Sequence, residues 1–405
     1  MLNLTKEEKV LLELIKYGIS GEHITIKDND IDWDKVIAEA TVQAVTILAC
    51  DSATTIKELI PDEAFKKWKS ISLKGMLNNL KVQQAQDDMV SIVNSTGYPY
   101  FILKGLAAAG YYTKPELRIL GDVDFLIDAE NKNELADLFV QNGYSQHLDN
   151  HVCHIVLKKP GAHLEMHFEP SGIPNGSQGE YLRNFFKNAV SHSIETTMDG
   201  DVFCVPEPFL HGMILALHMQ HHQVSEGLGL RHLCDWAYFV DRTANEAFWD
   251  KLVAEFKNIG LFKYIALMTK TCSIYLGAKL PVWAENADEQ LCEEIINDIF
   301  AGGNFGRKDE VRSKSGMMVS NHGKDGTHHN KLYYLYNTLH TVSAENKPEI
   351  TTSKIRWFAE DCRRAGLYLI RMFHGERTSL IKMLPEAEKR KKLYNEFHLF
   401  ETDKP

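Results

Sequence analysis

Several features that would place the chain in a specialised class are missing from its sequence. The seven cysteines include no C-x-x-C pair and their number is odd, so their spacing supports neither a disulfide framework nor a zinc ribbon. No stretch approaches the roughly 18 consecutive apolar residues of a membrane span. The opening residues, MLNLTKEEKVLLELIKYG, are charged and contain no apolar signal core. We therefore expect a soluble, cytoplasmic protein with no membrane partner.

Basic residues are too few for a protein whose whole surface binds nucleic acid. Lys and Arg number 45 against 55 Asp and Glu, which gives a formal net charge of −10. Long nucleic acids attract basic surfaces, so the balance favours a small molecule or a protein as the partner. A local basic cleft remains compatible with this charge.

Hydrophobic periodicity divides the 405 residues into helical and mixed segments, and the length predicts two or three domains. In the first helical segment, Thr5 and Glu8 form a capping-box pattern and Gly18 predicts the end of the helix. The predicted class is α+β, with a small mixed sheet flanked by N-terminal and C-terminal helical regions. The predicted divisions are a helical region 1–95, a mixed α/β domain 96–205, a helical domain 206–300, a Gly-rich loop 301–330 and a helical region 331–405.

The mixed segment contains short strands with acidic side chains on one face. Residues 99–104 are apolar and end at Lys104-Gly105, and residues 118–128 predict a strand that carries Asp122 and Asp124 on the same face. Residues 151–168 predict a hairpin, and its second strand places Glu165 beside His163 and His167. Three carboxylates can therefore meet on one sheet face.

This pattern is typical of sites that bind hard divalent cations. Carboxylates at i and i+2 can share a cation, and Glu165 on a later strand can complete a two-metal site for phosphoryl displacement. Lys104 supplies a positive charge, and Gly105 permits close backbone approach to phosphate. Arg118 could contact phosphate or form a surface ion pair, and His167 could orient Glu165 or contact substrate.

Four motifs in this order resemble the polymerase-β type of nucleotidyltransferase, and most closely the bacterial nucleotidyltransferases of the NTP_transf_5 kind. The resemblance covers about 100–310. The motifs are L-K-G at 103–105, R-I-L-G-D-V-D-F-L-I at 118–127, L-E-M-H at 164–167 and G-L-R-H-L-C-D at 229–235, with G-N-F-G following at 303–306. The wider superfamily has Gly-Ser where this chain has Lys104-Gly105, so Lys104 and Arg118 are expected to take over the phosphate contact.

The resemblance implies a reaction and a set of roles. An NTP is the implied substrate, and Mg²⁺, or Mn²⁺ in its place, is the implied cofactor. Asp122, Asp124 and Glu165 are the implied catalytic and metal-binding residues, and Lys104, Gly105, Arg118 and His167 are the implied nucleotide-binding residues. A hydroxyl of an unidentified acceptor would take the NMP group. The alternative is a nucleotidyltransferase-fold protein that binds nucleotide or a partner without turnover, as a regulatory or toxin–antitoxin component.

A second group of histidines follows in the helical domain. His218 and His222 are four residues apart, a spacing that permits shared metal binding, but no H-E-x-x-H motif is present. We expect this helix face to line the nucleotide or acceptor cleft, or to form a packed polar interface. Arg231 and Asp235 have the same spacing and predict an ion pair within one helix.

Overall fold

The computed structural model describes residues 2–147, 153–243, 245–308, 353–373 and 390–402, together with residues 340 and 343. Residues 309–330 of the predicted loop and most of 331–352 lie outside this described part. Among the described helices, none combines the length and the apolar content that a bilayer span demands.

Helices precede and follow two small sheets, and this arrangement confirms the predicted α+β class. The described helices are Lys6–Ser20 (α1), Trp33–Val42 (α2), Thr46–Ala53 (α3), Asp62–Asn94 (α4), Leu106–Ala109 (α5), Lys132–Gln141 (α6), Ser177–Phe185 (α7), Pro208–Val224 (α8), Leu230–Arg242 (α9), Glu246–Asn258 (α10), Phe262–Leu276 (α11), Glu289–Gly302 (α12) and Lys354–Phe373 (α13), and 390–395 is also helical. Short 3₁₀ helices cover Thr54–Leu59, Pro115–Leu117, Ala129–Asn131, Ala189–His192, Val282–Ala284 and Asn304–Gly306.

The first helix shows how local sequence sets its ends. Thr5 caps α1, because its side chain accepts a bond from the Glu8 amide while the Glu8 carboxylate accepts one from the Thr5 amide. The predicted end at Gly18 is wrong, since the helix continues to Ser20. Gly21 ends it in the left-handed region with φ of 72°, a conformation that favours glycine.

The larger sheet has five strands in the order β1-β2-β5-β4-β3. The strands are Tyr100–Ile102 (β1), Val123–Ile127 (β2), Ser145–His147 (β3), His154–Lys159 (β4) and Ala162–His167 (β5). Only β2 and β5 pair in parallel, and the other neighbours pair antiparallel. The predicted hairpin is confirmed as β4 and β5, whereas the predicted strand 118–128 is shorter and begins at Val123. A second hairpin, Ser193–Met198 (β6) and Asp201–Pro206 (β7), contacts β1.

Each face of β2 contributes to a different hydrophobic cluster. Val123, Phe125 and Ile127 pack with α6 in the cluster of the sheet. Leu126, on the opposite face, belongs to the larger cluster, which joins the N-terminal helices to α8–α12. Because side chains alternate along a strand, Asp124 lies on the face that is turned toward the helices after residue 206. The predicted domain boundaries stay predictions, although the helices before residue 70 and after 206 share this one cluster.

The 33-residue helix α4 connects the two clusters. Phe65 and Trp68 near its start belong to the larger cluster, and Met89 and Val93 near its end belong to that of the sheet. Between them, Asn79 donates from Nδ2 to the Arg118 carbonyl at 2.8 Å and accepts the Leu120 amide on Oδ1 at 2.8 Å. Asn79 thereby fixes the backbone that leads into Gly121 and Asp122.

Candidate functional site

Two parallel strands bring the predicted carboxylates together. Asp124 on β2 lies opposite Glu165 on β5 in the parallel register, so both side chains project from the same sheet face. Asp122 immediately precedes β2 and is partly buried beside them. The proximity of Asp124 is the main cause that raises the pKa of Asp122, and burial adds to it. The structure thus places three mutually repelling carboxylates in one small volume.

Lys104 offsets part of this repulsion. Lys104 lies just after β1. Leu103, between β1 and Lys104, donates its amide to the Asp124 carbonyl at 2.9 Å. Lys104 Nζ lies 2.8 Å from Asp124 Oδ1. The next residue, Gly105, has φ of 56° and ψ of −118°, backbone angles that residues with a side chain rarely adopt. Glycine is therefore required at this turn into α5. Its predicted contact with nucleotide stays a prediction.

His167 contacts both strand carboxylates. Its Nε2 lies 3.1 Å from Asp124 Oδ1 and 3.3 Å from Glu165 Oε2, and the ring is 1% exposed. Burial opposes a charge on the ring, but hydrogen bonds to Asp124, Cys153 and Glu165 outweigh burial and raise its pKa well above the usual range. His167 Nε2 therefore lies between Asp124 and Glu165, and its predicted roles, orienting Glu165 or contacting substrate, stay predictions.

The same contacts keep two of the carboxylates ionised. Burial works against the charge of Asp124, but Lys104 and His167 outweigh it and lower the pKa of Asp124. The pKa of Glu165 is likewise lowered, because the bond from His167 overcomes burial and the nearby charge of Asp124. Ionised oxygens are the ligands that hard cations require. Asp124, Glu165 and His167 present one atom each within 4.8 Å of one another.

Arg118 does not reach these carboxylates in this arrangement. Its Nε and Nη2 donate to Asp235 Oδ1 and Oδ2 at 2.8 and 2.7 Å, and Tyr112 also donates to Asp235 at 2.8 Å. Both charged side chains are about 95% buried. The pair joins the loop before β2 to α9. The predicted role of Arg118 in phosphate binding stays a prediction, and this geometry does not favour it.

The predicted ion pair between Arg231 and Asp235 is wrong, because Arg118 and Tyr112 occupy both oxygens of Asp235. Sequence spacing pointed to the neighbour on the helix, whereas the partner lies 117 residues away. Arg231 instead approaches Gly121: its Nη1 is 3.9 Å from the position that a Cβ on Gly121 would take. Asp122 also contributes to the electrostatic environment of Arg231.

The second histidine group forms the wall beside this site. His218, His222 and His232 present nitrogen atoms within 4.8 Å of one another, and the charge of Lys104 contributes to the lowered pKa of all three after their burial. The expectation that this helix face lines the cleft or forms a packed polar interface stays a prediction. His232 Nδ1 accepts the Gly229 amide at 3.3 Å, so Nε2 of the neutral ring carries the hydrogen. That tautomer does not suit a three-histidine metal site.

Sequence reasoning missed the contacts that assemble this wall. Phe305 packs edge-on against His222 at 4.8 Å and lies under Arg231, with 5.5 Å between the guanidinium carbon and the ring centre. A Cβ on Gly229 would stand 2.5 Å from Asn304 Oδ1, so the Gly-Leu-Arg and Gly-Asn-Phe-Gly segments are in direct contact. Asn79 was also missed, although a buried Asn in mid-helix is the kind of residue that requires hydrogen-bond partners.

A small mixed sheet with carboxylates on adjacent strands, a lysine beside them and an arginine from the neighbouring helix is an arrangement typical of phosphoryl-transfer sites. The comparison with known families then gives the particular group. The family model described as uncharacterised nucleotidyltransferase matches residues 29–277, more than half of the chain, and the chain belongs to that family. The match begins earlier than the predicted 100–310 and ends before Gly303. Comparison with curated proteins and with solved structures finds no match.

Proposed function

We propose that this chain is a Mg²⁺-dependent nucleotidyltransferase that transfers an NMP group from an NTP to a hydroxyl acceptor and releases pyrophosphate. The family supports nucleotidyl transfer in general. The observation that carries the proposal is the parallel pairing of Asp124 with Glu165 beside Asp122 and Lys104. The acceptor is a small molecule or a protein side chain, in keeping with the acidic charge of −10.

The donor set fits a hard divalent cation. Asp122, Asp124 and Glu165 offer carboxylate oxygens, which Mg²⁺ and Mn²⁺ prefer. Both contacts of Asp124 with Lys104 and His167 use Oδ1, which leaves Oδ2 free of partners among the described residues. A bound ion would neutralise phosphate charge and favour the ionised form of the acceptor hydroxyl.

The residues of the chain provide positioning and charge for the transfer. The acceptor oxygen forms a bond to the α-phosphorus while the bond to the bridging oxygen breaks, and pyrophosphate leaves with the electron pair. Glu165 helps to take the hydroxyl proton, and His167 holds Glu165 in place at 3.3 Å. When the NTP binds, the ammonium group of Lys104 moves from Asp124 to a phosphate oxygen. Most of the acceleration comes from orientation and electrostatic stabilisation.

The same contacts favour a second candidate, a protein that binds nucleotide without turnover. Lys104 and His167, both part of the chain, already offset the charge of Asp124. A site that is electrostatically satisfied in this way could bind an NTP as a signal. The two candidates differ in whether the bond between the α- and β-phosphates breaks.

Transfer is tested with NTPs labelled at the α-phosphate, using the purified full chain, Mg²⁺ and a panel of sugars, polyols and protein acceptors. The expected result is labelled acceptor and equimolar pyrophosphate, both abolished in Asp122→Asn and Asp124→Asn and retained in the control Asp128→Asn at the other end of β2. Binding of Mn²⁺ with an NTP, followed by electron paramagnetic resonance, gives a readout that needs no acceptor. Cation and nucleotide binding without pyrophosphate release would favour the second candidate, and no difference between Asp124→Asn and the parent would contradict both.

A further inference from the structure

Arg231 is a half-buried arginine at the edge of the candidate site, and no ion pair to it is found within the described residues. It lies in the first turn of α9, and its Nε is buried and makes no hydrogen bond within the described part of the chain. Burial, together with repulsion from Arg118, lowers the pKa of Arg231. A buried donor that lacks an acceptor destabilises a fold, and such a group in a folded protein requires an explanation.

The surrounding chain could have paired this arginine and does not. Asp235 is one turn further along the same helix, at the spacing that suits an ion pair. Both of its oxygens are bound by Arg118 and Tyr112 instead. The guanidinium rests on the Phe305 ring, which restricts its direction and leaves Nε without a hydrogen bond among the described residues.

A second unsatisfied donor lies on the same helix turn. Because His232 Nδ1 accepts the Gly229 amide, its Nε2 carries a hydrogen, and this atom is buried without a partner among the described residues. The His232 ring lies 5.5 Å from the ring of Phe305, on which Arg231 also rests. Two donors, Arg231 Nε and His232 Nε2, therefore lack an acceptor among the described residues.

The position of Arg231 indicates which acceptor this is. Its guanidinium approaches Gly121, next to Asp122, whereas Lys104 contacts Asp124. Two cations thus stand beside the carboxylate group. A guanidinium presents a planar set of donors that matches phosphate oxygens, and the charge of a triphosphate would offset that of the arginine.

We propose that Arg231, with the Nε2 hydrogen of His232 beside it, binds the β- and γ-phosphate oxygens of the NTP, the part that leaves as pyrophosphate. This inference rests on the proposed function and names the residue that selects triphosphates over monophosphates. It assigns to Arg231 the phosphate role that the family resemblance had implied for Arg118. Free pyrophosphate offers the same chemistry, so the test includes it.

The test measures equilibrium binding to the full chain with Mg²⁺. The probes are the α,β-methylene analogues of the four NTPs, which cannot be cleaved, the four NMPs and inorganic pyrophosphate. In Arg231→Gln, affinity for the analogues and for pyrophosphate should fall roughly 10- to 100-fold, the range of a charged hydrogen bond, with NMP affinity unchanged. The affinity of Arg231→Lys should lie between that of the parent and that of Arg231→Gln. Lysine keeps the positive charge but lacks the planar set of donors of the guanidinium. Arg242→Gln, at the exposed end of the same helix, is the control and should bind like the parent.

Thermal unfolding of the empty protein separates binding from a structural role. Removing the buried Nε donor, which has no partner among the described residues, should leave the unfolding temperature of Arg231→Gln unchanged or raise it, whereas an arginine with a structural role would lower it on removal. If Arg231→Gln binds the analogues as tightly as the parent while Asp124→Asn does not bind them, the inference is wrong and the proposed function stands. An equal loss for NMP would also overturn it. A parent chain that binds neither analogues nor pyrophosphate would overturn both.

Discussion

Replacing Arg118 by Met should destabilise the fold strongly while leaving the nucleotide affinity of the folded protein nearly unchanged. The substitution keeps an unbranched apolar stem and removes the guanidinium group with its charge. It leaves Asp235, which is 5% exposed, without the two bonds of 2.7 and 2.8 Å. Breaking a buried ion pair from one side typically costs about 3–5 kcal/mol, because the remaining charge stays buried.

The lower end of that range, about 3 kcal/mol, is expected here. Tyr112 still donates to Asp235 in this variant. Burial raises the pKa of Asp235, Arg118 lowers it, and the nearby charge of Arg231, which remains in this variant, lowers it further. Removing both charges in Arg118→Met/Asp235→Leu should restore much of the stability, because no unpaired charge then remains apart from Arg231. A double-mutant cycle by urea unfolding measures this coupling directly.

The cycle also decides between two roles for Arg118. A structural arginine predicts a loss of unfolding free energy and an unchanged affinity for an NTP analogue, measured well below the unfolding transition. A phosphate-binding arginine predicts the reverse pattern. A loss below about 1 kcal/mol in Arg118→Met, the value of an exposed pair, would refute the reasoning from burial.

Three further outcomes are expected. Asn79→Ala should lower the free energy of unfolding, measured in urea, by about 2 kcal/mol, since it leaves a buried carbonyl and a buried amide unpaired. It should also weaken Mn²⁺ binding at the adjoining loop. The control Gln84→Ala, at an exposed position of the same helix, should change neither quantity. Burial lowers the pKa of His211 from 6.5 to about 4, so the unfolded chain gains a proton first as the pH falls, and the stability is full above pH 6.5 and lost toward pH 4. His211→Gln should therefore remove about 2 kcal/mol of the stability difference between pH 7 and pH 5, and an unchanged difference would contradict the assignment. Lys104→Met should tighten Mn²⁺ binding without nucleotide roughly tenfold, because the cation no longer competes with the ammonium group for Asp124, and weaker Mn²⁺ binding would contradict that competition.

The parts of the fold that local patterns determine were predictable. The predicted second strand of the hairpin has Leu164 and Met166 in the core and Glu165 on the other face, because side chains of a strand alternate between faces. The predicted hairpin is closed by Pro160 and Gly161, residue types that favour a tight turn, between Lys159 and Ala162. The parallel pairing of Asp124 with Glu165 depends on a long crossover, yet the shared polar faces were enough to predict their proximity.

Contacts between distant segments were not predictable in the same way. Arg231 had a suitable acid four residues away, and only the folded chain shows that Arg118 takes that acid instead. Phe305 adopts a positive φ of 58° that no local pattern indicates, and this conformation brings its ring under Arg231. The assignment of each charge to its partner is thus a property of tertiary packing.

The division of the chain between two hydrophobic clusters has a consequence for synthesis on the ribosome. The cluster of the sheet draws on residues between Ala85 and Phe203, whereas the larger cluster joins Leu4 to Phe397. Ribosomes add about 5–20 residues per second. Phe203, the last residue of the sheet cluster, is therefore synthesised roughly 10–40 s before Phe397, the last residue of the larger cluster. The strands that carry the carboxylates can therefore pair during translation, while the N-terminal helices wait for the end of the chain. During that interval their apolar faces are exposed, which makes nascent chains stalled late in synthesis the form most prone to aggregate.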